Sequence, residues 1–250
     1  MTKHLIGQGG MTRRGLLKSG MAMTAAGLVL PAGMAMAQSE PKKGGTLRIG
    51  FNSGSTVDNY DPGVWDSNFV QVFAQARHNY LTEIAADGSL VGEVAESWEA
   101  SPDAMTWTLK IRSGITFHSG GTVTADDVIA SINYHRGPES TSAAKPIVEP
   151  IVEMTSDGPN TVIVTLSGGN ADFPYLMSDY HLPIMPAKDG KIDPTSSDGC
   201  GPYKVDSFEP GVNAVLSKHQ GYWKSDRGHF DGLLLLAIPD PVARQNALLT

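Results

Sequence analysis

The stretch from Ala95 to Arg136, AESWEASPDAMTWTLKIRSGITFHSGGTVTADDVIASINYHR, constrains this chain more than any other. Trp107, Leu109 and Ile111 alternate with Thr106, Thr108 and Lys110, the period of two that a strand with one buried face requires. Ala95 to Ala100 supplies a second short strand. Between them Ser101-Pro102-Asp103-Ala104 places Pro at the second position of a tight turn, so the pair predicts a hairpin. Ile115 to His118 is a short extended run closed by Gly120-Gly121. The period then changes. Ala125, Val128, Ile129 and Ile132 recur at helical spacing behind Thr124, an N-cap, and Asp127, three residues on, stands where a carboxylate closes a capping box. Hairpin, glycine corner and capped helix form one unit. His118 and the Asp126-Asp127 pair carry the residue types of acid–base or metal chemistry. Asp127 already has its capping role and Asp126 suits the positive end of the helix, so the unit reads as scaffold.

The amino end reads as an export leader. Thr12-Arg13-Arg14-Gly15-Leu16-Leu17-Lys18 is a twin-arginine pattern, an apolar run extends from Met21 to Leu30, and Ala35-Met36-Ala37 is an A-x-A cleavage site. The run is too short to stay as a membrane span. The expectation is a leader over 1–37, cleaved after Ala37 and delivered by the twin-arginine export machinery, with a soluble periplasmic product starting at Gln38. Lys3, Arg13, Arg14 and Lys18 leave with the leader. Of 19 basic residues 15 then remain against 26 acidic ones, a net charge of −11. Such a surface does not favour nucleic acid or anionic lipid.

The rest of the chain alternates strands and helices. Residues 38–44 read as a flexible leader, and Leu47, Ile49 and Phe51 alternate in a first strand. Asp66 is placed to cap a helix with an apolar stripe at Phe69, Val72, Phe73, Ala76 and Tyr80, and Asp87-Gly88 is a hairpin turn. Ile147 to Met154 and Thr161 to Leu166 read as a hairpin across Asp157 to Asn160. Ala171 to Asp179 reads as a short helix, His181 to Met185 as extended, and Lys188 to Ser197 as a polar loop. Tyr203 to Phe208 and Ala214 to Lys218 flank the turn Glu209-Pro210-Gly211. Leu233 to Ile238 is a continuous apolar run, as for a strand buried on both faces, followed by a helix from Val242.

Two loops are candidate ligand sites. After the first strand, Ser53, Ser55, Asn59 and Tyr60 offer hydrogen bonds, and Gly54 permits close approach to the backbone, in the position where open α/β sheets place ligands. Asp61-Pro62 sets the turn that follows. Gly199, Cys200 and Gly201 mark a tight path entering the strand at Tyr203, with Cys200 a small buried filler. Tyr222 and Trp223 offer stacking surfaces, or core. No catalytic site, metal site or cofactor is assigned. Cys200 is the sole cysteine, so neither an intrachain disulfide nor a cysteine zinc cluster is available, and there is no HExxH, no GxSxG and no paired-carboxylate spacing.

"AESWEASPDAMTWTLKIRSGITFHSGGTVTADDV", "GCGPYKVDSFEPG" with "GYWK", and "FDGLLLLAIPDPVARQNALLT" together resemble the family 5 extracellular solute-binding proteins, from about Gly45 to Thr250. These are the receptors of ABC importers for oligopeptides, dipeptides and nickel complexes. The resemblance implies an α/β (mixed α+β) fold: the first lobe of a periplasmic binding protein, with a mixed sheet, hairpins and flanking helices. Residues 45–232 would be the amino-terminal part of that lobe and 233–250 the crossover strand and start of a second lobe, otherwise missing. It further implies a carboxy-terminal truncation, since members are roughly twice as long. The implied function is capture of a peptide or other small solute between two lobes for an ABC permease in the inner membrane. Nickel chelates, opines and sugars are alternative ligands, and a periplasmic sensor or protein-binding subunit is an alternative role. A chain with one lobe is expected to bind ligand weakly or not at all.

Overall fold

The period-two segments become strands of two four-stranded sheets. The computed structural model describes residues 41–249; the leader, its cleavage site and residues 38–40 lie outside them. In the first sheet β1 (Thr46–Phe51) runs parallel to β12 (Gly232–Ala237); β12 pairs antiparallel with β11 (Asn213–Lys218), and β11 with β10 (Tyr203–Glu209). The second sheet is antiparallel, in the order β4 (Ala95–Ala100), β5 (Thr106–Ile111), β7 (Thr161–Leu166), β6 (Ile151–Ser156). Two small hairpins join β2 (Thr82–Ile84) to β3 (Leu90–Gly92) and β8 (Ala187–Lys188) to β9 (Lys191–Ile192). The longer helices are α1 (Asn68–Arg77), α2 (Ala125–Tyr134) and α5 (Pro241–Leu249), with single turns α3 (Lys145–Val148) and α4 (Phe173–Leu176). The mixed α/β expectation, with sheet, hairpins and flanking helices, is what the chain adopts.

Each sheet has its own core. In the second, Trp107, Leu109 and Ile111 of β5 and Val162, Val164 and Leu166 of β7 are buried with Val128 and Ile132 of α2. Burying each such side chain contributes about 1.5–3 kcal/mol. The start of α2 is fixed as its sequence predicts. The Thr124 amide and Oγ1 both donate to Asp127 Oδ2, at 2.8 and 2.7 Å. Asp127 Oδ1 accepts from the Ala187 amide at 2.8 Å, so one carboxylate holds a helix start and anchors β8. In the first sheet, Phe69 and Phe73 of α1 lie over Ala214, Leu216, Leu233 and Leu235, and Phe208 closes the aromatic cluster 4.7 Å from Phe73.

Several boundaries differ from expectation, each for a local reason. Ser67, not Asp66, caps α1, its Oγ accepting from the Val70 amide at 3.3 Å. The helix ends at Arg77, so Tyr80 is not part of its stripe; Val70, Ala74 and Arg77 complete the buried face instead. Residues 145–148 form a helical turn, because Pro146 suits its first positions, and the strand begins only at Ile151, past Pro150. The 171–179 helix shrinks to the four residues of α4. His181 to Met185 is mostly buried but joins no sheet; its Ile184 amide donates to the Asn79 carbonyl at 3.0 Å. The supposed loop after Lys188 opens as a hairpin, turned by Asp189 and Gly190 at φ 52° and 74°, an Asp-Gly signal legible in the sequence. β12 buries only one face. Leu233 and Leu235 lie on α1, while Leu234 and Leu236 remain half-buried, because the described residues put a helix on one side of that sheet alone. At the start, the chain is tied down from Gly44, whose amide donates to the His229 carbonyl at 2.8 Å. Among the described residues no helix is long and apolar enough to cross a membrane.

Candidate ligand-binding loop

Because β1 and β12 are parallel, their carboxyl ends lie side by side, and the segments that follow leave the sheet together. The Ile238 amide donates to the Phe51 carbonyl at 2.8 Å. The loop 52–61 starts here. Ser53 Oγ accepts from the Phe69 amide at 3.2 Å, helping to satisfy the start of α1. Gly54 has φ 129°, and a Cβ there would stand 2.6 Å from the Ala237 Cβ, so only glycine lets the loop cross the end of β12. Ser55 Oγ accepts from the Val57 amide, and the Ser55 amide donates to Asp58 Oδ2 at 2.8 Å. Asn59 Oδ1 accepts from the Asp61 amide and its Nδ2 donates to the Val57 carbonyl. Asp61 Oδ1 accepts from the Gly63 amide at 2.7 Å, with Pro62 opening the short 3-10 turn, which is the expected turn-setting role.

The loop therefore spends much of its polarity on itself. Asn52, Ser55, Thr56, Val57 and Asn59 stay exposed, whereas Asp58 is buried. Beside them a cavity of about 250 Å³ is lined by Val57, Asp58, Asn59, Val64, Trp65, Asp66 and Val70. Trp65 Nε1 donates to the Asn59 carbonyl at 3.0 Å, which fixes one wall of it. Tyr60 points elsewhere, into the aromatic cluster, 5.4 Å from Phe208 and 5.9 Å from Phe73.

Gly199, Cys200 and Gly201 are all buried and form a packing joint. A Cβ on Gly199 would meet the Arg77 carbonyl at 2.1 Å, and one on Gly201 the His78 amide nitrogen at 2.5 Å. The Gly201 amide donates to the Arg77 carbonyl at 3.0 Å. His118 holds the other side: its amide donates to the Gly199 carbonyl at 2.8 Å, and its Nε2 lies 3.0 Å from the Gly201 carbonyl. Cys200 Sγ lies 3.8 Å from the Ile184 carbonyl, and burial pushes its thiol up to about 12. These three residues do not meet the exposed part of loop 52–61; Arg77 stands between.

Sequence reasoning did not find Arg77. It occupies the apolar stripe of α1, four residues after Phe73 and eight after Phe69, and that position was the available signal. Nor did it find a larger cavity of about 610 Å³, lined in part by Gln75, Asn79, Tyr80, Glu83, Tyr180 and Tyr222. On one wall Lys224 Nζ donates to Glu93 at 2.5 Å and Glu83 at 2.8 Å, and Arg227 pairs with Glu83. Burial raises the Glu93 carboxyl; it would raise Glu83 too, but Lys224 and Arg227 hold that one down. Asn79 receives the Trp223 Nε1 proton at 3.0 Å and donates to Tyr222 Oη and Glu93, so the aromatic pair 222–223 serves as a clamp. The charges here satisfy each other and join the β11–β12 connection to the β2–β3 hairpin. Among the described residues no His, Cys, Asp or Glu cluster is arranged to hold a metal.

Known proteins share this architecture. A probable peptide ABC transporter periplasmic-binding protein of Sinorhizobium fredii is 26% identical over 218 residues, covering 85% of this chain and 40% of that protein. The glutathione-binding protein GsiB of Escherichia coli is 26% identical over 241 residues, covering 95% of this chain and 46% of that one. The solved binding protein AgaA of A. tumefaciens R10, in complex with agropinic acid, superposes with a TM-score of 0.75 at 28% identity, over 82% of this chain and 42% of its own. The chain thus spans less than half the length of these relatives. Residues 89–250 match the profile of the bacterial extracellular solute-binding proteins, family 5 middle region. With more than half its residues in that match, the chain belongs to the family 5 extracellular solute-binding proteins.

Proposed function

We propose that this chain supplies first-lobe structure to the substrate-binding component of an ABC importer, and that its ligand is a short peptide held against loop 52–61. The observation that carries the reading is the geometry at the carboxyl ends of β1 and β12. A braced loop with exposed Ser55 and Asn59 borders a cavity where a neighbouring strand leaves the sheet. Crevices outside the carboxyl ends of strands are where open α/β sheets bind ligands. Peptide as the ligand class follows from the relatives named for peptide transport and glutathione binding. Ser53, Gly54, Ser55, Asn59 and Tyr60 are the lobe-one residues of this site, Ser53, Gly54 and Tyr60 by shaping it. Gly199, Cys200 and Gly201 support it from beneath. Capture would proceed by closure of a second lobe, with the ligand favouring the closed state through contacts to both. The working partner would be a membrane permease. Export would use the twin-arginine route with cleavage after Ala37, leaving a periplasmic protein.

Agropinic acid in AgaA favours a second reading, an opine ligand. Native mass spectrometry of the protein isolated from the periplasm of its producing cell distinguishes the two. The expected spectrum shows a chain beginning at Gln38 with a co-purified di- to tetrapeptide. A sugar–amino-acid conjugate in its place would overturn the peptide reading.

A further inference from the structure

Arg77 is fully buried, yet among the described residues no carboxylate lies within ion-pairing distance of it. An unpaired charge in that setting is costly unless the surroundings supply oriented dipoles. They do. Nη2 donates to the Tyr60 carbonyl at 3.2 Å and Nη1 to the Ser196 carbonyl at 3.3 Å. The guanidinium carbon lies 4.8 Å from the ring centre of Tyr60, 4.9 Å from Phe73 and 5.4 Å from Trp65, within range of cation–π attraction. Nε has no partner. The residue's own carbonyl accepts from Gly201. Burial pushes the guanidinium down to about 10, which still leaves it charged at neutral pH.

A methionine or leucine would fill the same stripe position of α1 without placing a charge in the core. What the arginine adds is reach: it bridges the end of the 52–61 loop and the segment leading into Gly199. The two carbonyls lie 136 residues apart in sequence, at Tyr60 and Ser196. We propose that Arg77 is a positioning residue for ligand binding, a buried clamp that sets the height and rigidity of loop 52–61 without touching ligand. The inference rests on the reading of that loop as the ligand loop. A planar fork is needed, because the two carbonyls and the aromatic faces are served at once; lysine carries the charge but reaches only one carbonyl.

Hydrogen exchange of the exported protein, read peptide by peptide in Arg77→Met and Arg77→Lys, tests this without any ligand. The expected result is exchange faster by about 10- to 100-fold at residues 53–61, as for loss of hydrogen bonds to a charged group, with β4 to β7 unchanged. If Arg77→Met does not fold, Arg77→Lys decides alone, with about tenfold as its expected change. Unchanged exchange at 53–61, or an equal rise throughout the chain, overturns the proposal. Peptide affinity is measured on the same samples and is expected to fall about tenfold in Arg77→Lys. If wild-type protein carrying the second lobe that capture requires binds no peptide, the functional reading fails while the exchange data still decide the role of Arg77.

Discussion

At the residue scale, burial of basic side chains without an ion-pair partner among the described residues recurs. Arg77, His78 and His135 are all buried, and ring nitrogens of both histidines lack partners. His135 Nδ1 lies 2.6 Å from Ser142 Oγ, and burial, with a smaller contribution from His181, pushes its pKa down to about 4. The sign follows directly. Below pH 6.5 the unfolded chain takes up a proton that folded His135 refuses, so its contribution to stability is present above pH 6.5 and is lost as pH falls toward 4, by about 3 kcal/mol in all. His181 works oppositely. Burial would lower it, but Asp179 and the Trp65 carbonyl raise it, so the stability from that pair is present below pH 6.5 and lost as pH rises through its higher folded value. Urea unfolding at pH 7 and 4.5 separates the two: His135→Gln is expected to lose about 2–3 kcal/mol less than wild type on acidification. Neither histidine was legible as special in sequence. Asp179 and Ser142 lie close by in the chain, but burial of His135 and the Trp65 carbonyl that meets His181, 116 residues away, are set by tertiary packing, and no local period records that.

At the element scale, local chemistry was readable wherever a local rule decides the outcome. The Thr124–Asp127 cap, the Asp87-Gly88 turn, the Pro210-Gly211 turn and the alternation of Trp107, Leu109 and Ile111 all specify their structures from within a few residues. Errors arose where tertiary packing decides. Ile147 and Val148 have strand composition, but the prolines on either side allow only a turn of helix. The apolar face of Leu234 and Leu236 reads as buried, yet burial depends on a neighbour that the strand's own sequence does not encode. Asp127 shows how the two levels meet, since its second oxygen binds Ala187, sixty residues on. Asp127→Ala is therefore expected to cost more than an ordinary cap, about 2 kcal/mol by denaturant titration. Asp127→Asn retains part of that, because its one amide oxygen still accepts either from Thr124 or from the Ala187 amide.

At the scale of the whole molecule, two sheets, each with its own core, are joined through the Glu83–Glu93–Lys224–Arg227 network and the Gly199–Gly201 joint. The family was legible because its signature lies in consecutive residues, Ala95 to Val128. The geometry of the candidate site was only half legible. The exposed polar residues of loop 52–61 advertise themselves, while the parts that fix them, Arg77, Phe208 and Trp65, are scattered along the chain and look like ordinary core. The larger cavity beside Tyr80 and Tyr180 competes with that loop for the role of ligand site. One measurement separates them: hydrogen exchange of the protein with and without saturating di- and tripeptides. The account predicts slower exchange at residues 53–60 on adding peptide, with residues 80–84 and 178–180 unchanged. Slowing confined to those latter segments, or none anywhere despite bound peptide, would contradict it.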